Sequence, residues 1–118
     1  MPDSRPVVHL ELHTRDIAGA QALYGDLCGW QPDHVHTPHG DYVAVEMGRR
    51  LGGGMVEYAG SRALWLPYVE VTDVAQATAR ARELGAQVRL EPREGPAGWR
   101  AVVASRAGGE IAFWQPKR

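Results

Sequence analysis

Three residues whose side chains can transfer protons or bind a metal, His9, Glu11 and His13, alternate along the first markedly apolar stretch of the chain. Alternate residues of a β-strand point to the same face, so these side chains would form a polar row with aliphatic residues behind it. Neighbours on such a face lie roughly 6.5–7 Å apart, at ~3.3 Å of rise per residue. The row could flank one small ligand, or bind a metal ion with help from other strands. On strand statistics alone, a half-buried strand with its polar face towards water is the simpler interpretation.

The bulk composition restricts the classes of protein to which the chain could belong. With 118 residues, 44% of them hydrophobic, it is long enough for one domain with its own core. A net charge of −1 gives no electrostatic basis for binding nucleic acid, and no apolar run approaches the ~20 residues of a membrane span. The first residues do not resemble a signal peptide. Cys28 is the single cysteine and cannot form an internal disulfide, which favours a reducing cytoplasm.

The chain contains one unit twice. Asp16 and Asp73 each begin a helical pattern, and the spacing between these two residues recurs between the apolar positions of the two patterns. The first apolar stripe comprises Ile17, Ala20, Tyr24 and Leu27, and the second comprises Val74, Ala77, Ala81 and Leu84. Both aspartates suit the N-cap position, and Gly29 and Gly85 suit the left-handed position that follows a helix.

Each helix pattern is preceded by one strand pattern and followed by three. The predicted strands are Val7–Thr14, Gln31–Thr37, Tyr42–Met47 and Leu51–Glu57, then Leu64–Thr72, Gln87–Leu90, Trp99–Ala104 and Glu110–Gln115. Turn-forming Gly, Pro, Asp and Ser separate them. This order predicts an α+β fold of two tandem βαβββ modules, at about 6–57 and 64–116. Because one module has too little apolar surface to stand alone, we expect both to pack as one domain around a concave pocket.

Several segments resemble a known family. They are His9–Asp16 with Ala22–Tyr24 and Cys28–Trp30, then Gly52–Met55, Trp65–Asp73 and Ala107–Trp114. Together with the βαβββ order, they resemble the vicinal oxygen chelate (VOC) superfamily, which includes glyoxalase I, bleomycin-resistance proteins, extradiol dioxygenases and fosfomycin-resistance enzymes. The resemblance implies a single glyoxalase/bleomycin-resistance-like domain over residues 1–118, with a half-barrel pocket and pairing as a homodimer. It does not select a reaction, because this fold carries many chemistries.

The resemblance also implies where a metal would bind. Members that use a metal take ligands from the first and last strands of each module, and the corresponding positions here are His9, Leu66 and Ala112. A fourth falls near Gly53–Met55, where Glu57 is the nearest carboxylate. A stable site requires three or four converging donors, and His9 alone is a clear ligand. We therefore expect no cofactor, with a divalent metal held by His9 and unrecognised ligands as an alternative.

Three further histidines, His34, His36 and His39, lie in the second predicted strand and the turn after it. A His-x-His pair on one strand face can bind a metal. No cysteine or acidic partner follows at ligand spacing, so we interpret these residues as polar groups near the pocket rim.

Without a metal, the polar row could perform acid–base chemistry. The module alignment places Leu66, Tyr68 and Glu70 opposite the row, and histidine titrates near neutral pH. Glu11 or Glu70 could orient an imidazole while Tyr68 donates to a developing oxyanion. The predicted catalytic residues are His9, Glu11, Tyr68 and Glu70. The predicted ligand-binding residues are His13, Leu66, Trp65, Met55, Trp99, Ala112 and Trp114.

Three functions remain open at this point. The first is a metal-independent enzyme that cyclises, isomerises or dehydrates a small aromatic or polyketide-like metabolite by general acid–base catalysis. The second is a non-catalytic protein that sequesters a drug or metabolite, and the third is a divalent-metal lyase or dioxygenase that uses His9. Sequestering proteins tend to have apolar clefts with few titratable groups, so the His/Glu row favours the first. In each case the expected partner is a small molecule, not nucleic acid or a membrane.

Overall fold

A computed structural model of the chain describes residues 4–38, 40–48, 51–57, 64–95 and 97–117. These residues form an α+β fold with the order βαβββ twice, which confirms the predicted fold class. The elements are β1 (Val7–Thr14), α1 (Ile17–Cys28), β2 (Pro32–Thr37), β3 (Gly40–Glu46), β4 (Gly52–Glu57), β5 (Leu64–Glu70), α2 (Val74–Glu83), β6 (Gln87–Glu94), β7 (Gly98–Ala104) and β8 (Glu110–Pro116). Strand β6 is longer than predicted, and irregular register within it marks bulges in its pairing with β7.

The chain divides into two compact units. The N-terminal unit comprises residues 8–66, and the C-terminal unit comprises residues 1–7 and 67–118. Strand order is β2-β3-β4-β1 in the N-terminal unit and β6-β7-β8-β5 in the C-terminal unit. The first and last strands of each module pair in parallel, and the remaining pairs are antiparallel. The two modules therefore share one topology, which confirms the repeat predicted from the sequence.

Both helices begin and end where the sequence predicts. The side chains of Asp16 and Asp73 accept hydrogen bonds from the backbone N–H three residues later, at 2.9 and 3.1 Å. After the helices, Gly29 and Gly85 have φ angles of 72° and 92°, a left-handed backbone that glycine adopts without a steric penalty. Among the described residues, neither helix has the length and apolar character needed to cross a membrane.

The core of the N-terminal unit lies between α1 and one face of the sheet. Its buried residues are Leu12, Val43, Val45 and Met55, and α1 packs on them through Ile17, Ala20 and Tyr24. Leu27, the last residue of the predicted stripe, is 71% exposed, so the part of the stripe that packs on the sheet ends before it. A helical repeat indicates which residues share a face, but it does not indicate how far along the helix the sheet extends.

The core of the C-terminal unit lies between α2 and its sheet in the same way. Val71, Val74 and Ala101 are buried there, with Ala77, Trp99 and Phe113 packed against them. Thr78 is also buried, and its hydroxyl donates a 2.7 Å hydrogen bond to the Val74 carbonyl oxygen. Leu84, at the end of the second predicted stripe, is 71% exposed, so here too the packing against the sheet ends before the last residue of the stripe.

Candidate acid–base site

The polar row of β1 lies on the face of the N-terminal sheet that α1 does not cover. Leu12 packs in the core beneath α1, and successive strand residues point to opposite faces, so His9, Glu11 and His13 point to the other face. Their side chains retain 30%, 17% and 15% of their exposure, respectively. The row is therefore partly withdrawn from solvent, which strengthens the electrostatic interactions among its members.

Glu11 links the two histidines. Its Oε1 lies 2.8 Å from His13 Nε2, and its Oε2 lies 3.5 Å from His9 Nε2. The shorter contact is a charge-assisted hydrogen bond, whereas the longer one is at the limit of hydrogen-bond geometry. An ionised carboxylate only accepts hydrogen bonds, so with ionised Glu11 this contact is made by the His13 tautomer that carries its proton on Nε2. Each carboxylate oxygen thus faces a different imidazole.

Strand β4 presents only glycine beside this part of the row. The parallel register pairs His9 with Gly52 and Glu11 with Gly54. A methyl group on Gly52 would lie 3.2 Å from His9 Nδ1, and one on Gly54 would lie 3.5 Å from His9 Nε2. The imidazole of His9 therefore lies directly against the backbone of β4. Any side chain at Gly52 would crowd the ring.

Two of the predicted ligand-binding residues lie on the opposite face of this sheet from His9. Met55 is level with Leu12 and is buried in the core under α1. Trp65 packs against the same core, where its Nε1 donates to the Tyr24 hydroxyl at 3.3 Å. Its ring also lies edge-on to Tyr24 and Trp30. Met55 and Trp65, both predicted to bind a ligand, therefore lie with the core residues on the α1 side of the sheet.

The additional histidines also lie away from the polar row. His34 is level with Val43, which is a core residue, so His34 and His36 share the face that carries α1. Both are exposed. These two residues therefore lie on the opposite face of the sheet from His9. His39 lies outside the described residues.

In the C-terminal unit, the predicted site residues divide between the two faces of the sheet. Tyr68 is level with Ala112, and Glu70 is level with Trp114, on the face opposite α2. Tyr68 and Ala112 are buried, Trp114 is half-buried and Glu70 is exposed. Leu66, two residues before Tyr68 on β5 and the last residue of the N-terminal unit, is also buried.

Trp99 lies on the other face of the C-terminal sheet. It packs in the core under α2, and Lys117 Nζ lies 5.5 Å from its ring centroid. Trp99, a predicted ligand-binding residue, therefore lies on the opposite face of the sheet from Tyr68 and Trp114.

Arg100 has no counterpart among the sequence predictions, yet it contacts a predicted catalytic residue. Its Nη1 donates a 3.0 Å hydrogen bond to the Tyr68 hydroxyl oxygen, and the β7–β8 register places it level with Trp114. Tyr68 lies 32 residues earlier in the chain. The alternation along β7 alone could have indicated the face on which Arg100 lies, but not its partner.

The residues present do not supply the ligand set that the VOC resemblance implies for a metal. Among the described residues, no group of three or more His, Cys, Asp or Glu side chains is arranged to hold a metal ion. On β4, the residues beside His9 and Glu11 are glycines, and Glu57 is level with Thr14, on the α1 face. On β8, the implied position is Ala112, whose side chain carries no donor atom. The positions that the resemblance implies on β4 and β8 therefore supply no metal ligand to accompany His9.

Comparison with solved structures identifies the fold. No protein-family model and no curated protein sequence matches this chain. The hypothetical protein BH1468 from Bacillus halodurans C-125 superposes with a TM-score of 0.74 at 15% identity, covering 98% of this chain and 97% of that one. Methylmalonyl-CoA epimerase from Mycobacterium tuberculosis superposes with a TM-score of 0.69 at 16% identity, covering 100% of this chain and 94% of the epimerase.

A larger enzyme shares the same fold over part of its length. A mutant of 4-hydroxymandelate synthase from Streptomyces coelicolor superposes with a TM-score of 0.69 at 16% identity, covering 97% of this chain and 39% of the synthase. The epimerase and the synthase belong to the VOC superfamily. The fold of this chain is therefore of the VOC type, as its sequence predicts.

Proposed function

We propose that this chain is a metal-independent enzyme that removes and returns protons on a small molecule by means of the His9–Glu11–His13 row. One observation carries the proposal: a single carboxylate lies between two half-buried imidazoles, at 2.8 and 3.5 Å. A row that served only to meet water would gain little from this arrangement, because exposed ion pairs contribute almost nothing to stability. General acid–base catalysis needs such a positioned imidazole with an orienting partner.

The geometry distinguishes the roles of the three side chains. His9 is the most exposed of the three and lies over the glycines of β4, so it is the residue that a substrate can reach. We assign it as the general base. Glu11 would be next to the positive charge that His9 acquires when it takes a proton. His13, bonded to the other carboxylate oxygen, holds Glu11 in place.

The reaction class follows from what these groups can do. An imidazole that removes a proton from carbon and returns it elsewhere performs an isomerisation, and the same first step begins many dehydrations and cyclisations. Several solved structures of the same fold are called methylmalonyl-CoA epimerases, and inversion at a carbon acid also proceeds by removal and return of a proton. We propose a small carbonyl compound, aromatic or polyketide-like, as the substrate.

Deuterium exchange tests the proposal whichever product the enzyme forms. The protein is purified without a histidine tag, treated with a chelator, and incubated in D2O with a panel of small carbonyl metabolites that carry an acidic C–H. Proton NMR then shows which C–H signals are lost. We expect exchange of at least one compound with the wild-type protein. The rate should fall at least a hundredfold in His9→Gln, because removing the base forfeits about 10²–10⁴-fold.

Two variants complete the design. Glu11→Gln keeps the shape of the side chain but removes its charge, and we expect an intermediate loss of exchange. His34→Gln removes an exposed imidazole on the opposite face of the same sheet, and should exchange at the wild-type rate. Equal rates in all four proteins would contradict the assigned roles. Binding of a compound without exchange would favour sequestration, and exchange that returns only with added divalent metal would favour the metal-dependent alternative.

A further inference from the structure

A cavity of about 640 Å³ lies along one side of α2 in the C-terminal unit. The α2 residues that line it recur at helical spacing, from Asp73 through Ala77 and Ala81 to Leu84. This part of the chain is roughly 16 Å long, at ~1.5 Å per residue, so the cavity is elongated. Its volume is within the range of roughly 300–1,000 Å³ that small-molecule sites occupy. All of its lining residues belong to the C-terminal unit.

The middle of the cavity is apolar. Its floor is formed by Ile111 and Phe113 of β8, and its wall is formed by Ala77 and Ala81 of α2. Ile111 and Phe113 are only half-buried, and Leu84, the C-cap of α2, is 71% exposed. An aliphatic ligand in this cavity would withdraw these side chains from water, which is favourable in proportion to the apolar area covered.

Hydrogen-bond donors lie at the end of the cavity where α2 begins. The Glu70 N–H donates to the Pro6 carbonyl oxygen at 3.0 Å, so the segment that contains Arg5 runs beside the end of β5, which leads into α2. Arg5 lines the cavity together with Thr72 and Gln76. Within the described part of the chain, Arg5 makes no ion pair. A guanidinium, a hydroxyl and an amide can all donate to one carboxylate.

Two carboxylates also line the cavity, and their positions leave this end suited to an anion. Asp73 accepts a 3.1 Å hydrogen bond from the Gln76 N–H as the N-cap of α2, where the positive end of the helix dipole offsets its charge. Glu110 lies at the opposite end of the cavity. Trp114 is level with Glu70 at the end of β5, and Glu110 precedes Trp114 on β8 by roughly 13 Å of strand.

We propose that this cavity binds an aliphatic carboxylic acid, with its carboxylate on Arg5 and its hydrocarbon chain along α2 as far as Leu84. A linear chain matches the elongated shape, and each buried methylene raises the affinity about fourfold. Arg80 also lines the cavity, but it is paired with Glu83 at 3.0 Å, so Arg5 is the cation that selects the anion. The proposal does not depend on proton transfer by His9.

The test varies the chain length and the charge of the ligand separately. Isothermal titration calorimetry measures binding of decanoate, octanoate and decanol, each below its critical micelle concentration. We expect the protein to bind decanoate about tenfold more tightly than octanoate, because the longer chain buries additional methylenes. Decanol should bind at least fivefold more weakly than decanoate. Arg5→Gln should weaken decanoate about fivefold and leave decanol unchanged, because only the anion uses the guanidinium.

A second substitution tests the apolar end and has a matched control. Leu84→Ser should weaken decanoate and decanol alike, by about threefold to tenfold, because both chains cover this side chain. Leu27→Ser removes an equally exposed leucine from α1 in the N-terminal unit and should bind both ligands as the wild type does. Arg89→Gln removes an exposed arginine of β6 that does not line the cavity, and it is the corresponding control for Arg5→Gln.

Several outcomes would overturn the proposal. They are no binding of decanoate, equal affinities for decanoate and octanoate, or a loss of decanoate affinity in Leu27→Ser or Arg89→Gln that matches the loss in the cavity variants. Sedimentation velocity tests a different occupant: a dimer that dissociates in Leu84→Ser, without decanoate binding to the wild type, would assign the cavity to a second copy of the chain. Because no turnover is measured, this proposal and the acid–base proposal fail separately.

Discussion

Replacing Gly52 with alanine would displace the His9 imidazole without removing any polar group. The new methyl carbon would lie 3.2 Å from His9 Nδ1, so the neighbouring ring must move by a few tenths of an ångström. The His9 side chain is 30% exposed and has space to move. Its contact with Glu11 is 3.5 Å long, at the limit of hydrogen-bond distance, and therefore depends on where the ring lies. We expect Gly52→Ala to weaken the contact between His9 and its carboxylate.

The expected magnitudes follow from these distances. Gly52 does not have a positive φ angle, so alanine fits its backbone and gains about 0.5–1 kcal/mol from lower chain entropy. That gain offsets the crowding, and we expect the melting temperature to change by about 4 °C or less. Loss of a carboxylate–imidazole contact worth about 1 kcal/mol would slow proton transfer roughly fivefold.

Two measurements test this prediction: the NMR chemical shift of the His9 imidazole and the rate of deuterium exchange. The chain has five histidines, and the Cε1–Hε1 signal of His9 is assigned by its disappearance in His9→Gln. Gly54→Ala is the matched control, since its methyl would meet the His9 ring only at 3.5 Å, an ordinary contact. The His9 signal should shift more in Gly52→Ala than in Gly54→Ala, with a parallel difference in exchange rate. An unchanged His9 signal in Gly52→Ala, or equal effects of both substitutions, would refute the reasoning.

Three further predictions concern stability and are measured by urea unfolding. Leu66→Ala should lower the free energy of unfolding by about 3 kcal/mol, because Leu66 is buried. Leu84→Ser should change it by no more than about 0.5 kcal/mol, because Leu84 is 71% exposed. Equal losses of stability in the two variants would contradict the assigned burial. Asp73→Ala should cost about 1 kcal/mol and Asp73→Asn much less, since asparagine also accepts the N-cap hydrogen bond. Thr78→Val should lower the free energy of unfolding by about 1 kcal/mol, because it removes the buried hydroxyl donor. An unchanged urea midpoint would argue against the hydrogen bond from Thr78 to the Val74 carbonyl oxygen.

The architecture could be predicted from the sequence because its signals are local. The N-cap aspartates, the glycines after the helices and the alternating strands each depend on a few neighbouring residues, and the repeat doubles every signal. Unbroken alternation along β1 indicates from the sequence alone that His9 and Glu11 share one face of the sheet. Trp65 and Leu66 are adjacent on β5, so both could not face the same ligand. Alternation alone could have excluded one of them.

The remaining errors concern contacts between distant strands. Met55 belongs to the core because β4 pairs with β1 in a register that sets it beside Leu12, and that register depends on backbone pairing across the sheet. The bond between Arg100 and Tyr68 likewise joins two strands that are far apart in the chain. Such pairings depend on the packed structure as a whole, and no local pattern encodes them.

The glycines of β4 also bear on how this protein could evolve. Gly54 lies level with Glu11 and beside the His9 ring, at a place where the sheet already supplies the backbone for a further functional group. A Cβ at Gly54 would lie 3.4 Å from the Val43 carbonyl oxygen and 3.5 Å from His9 Nε2, which are ordinary contacts. A single substitution at this glycine would therefore add a side chain beside the imidazole, and with it a new chemical group.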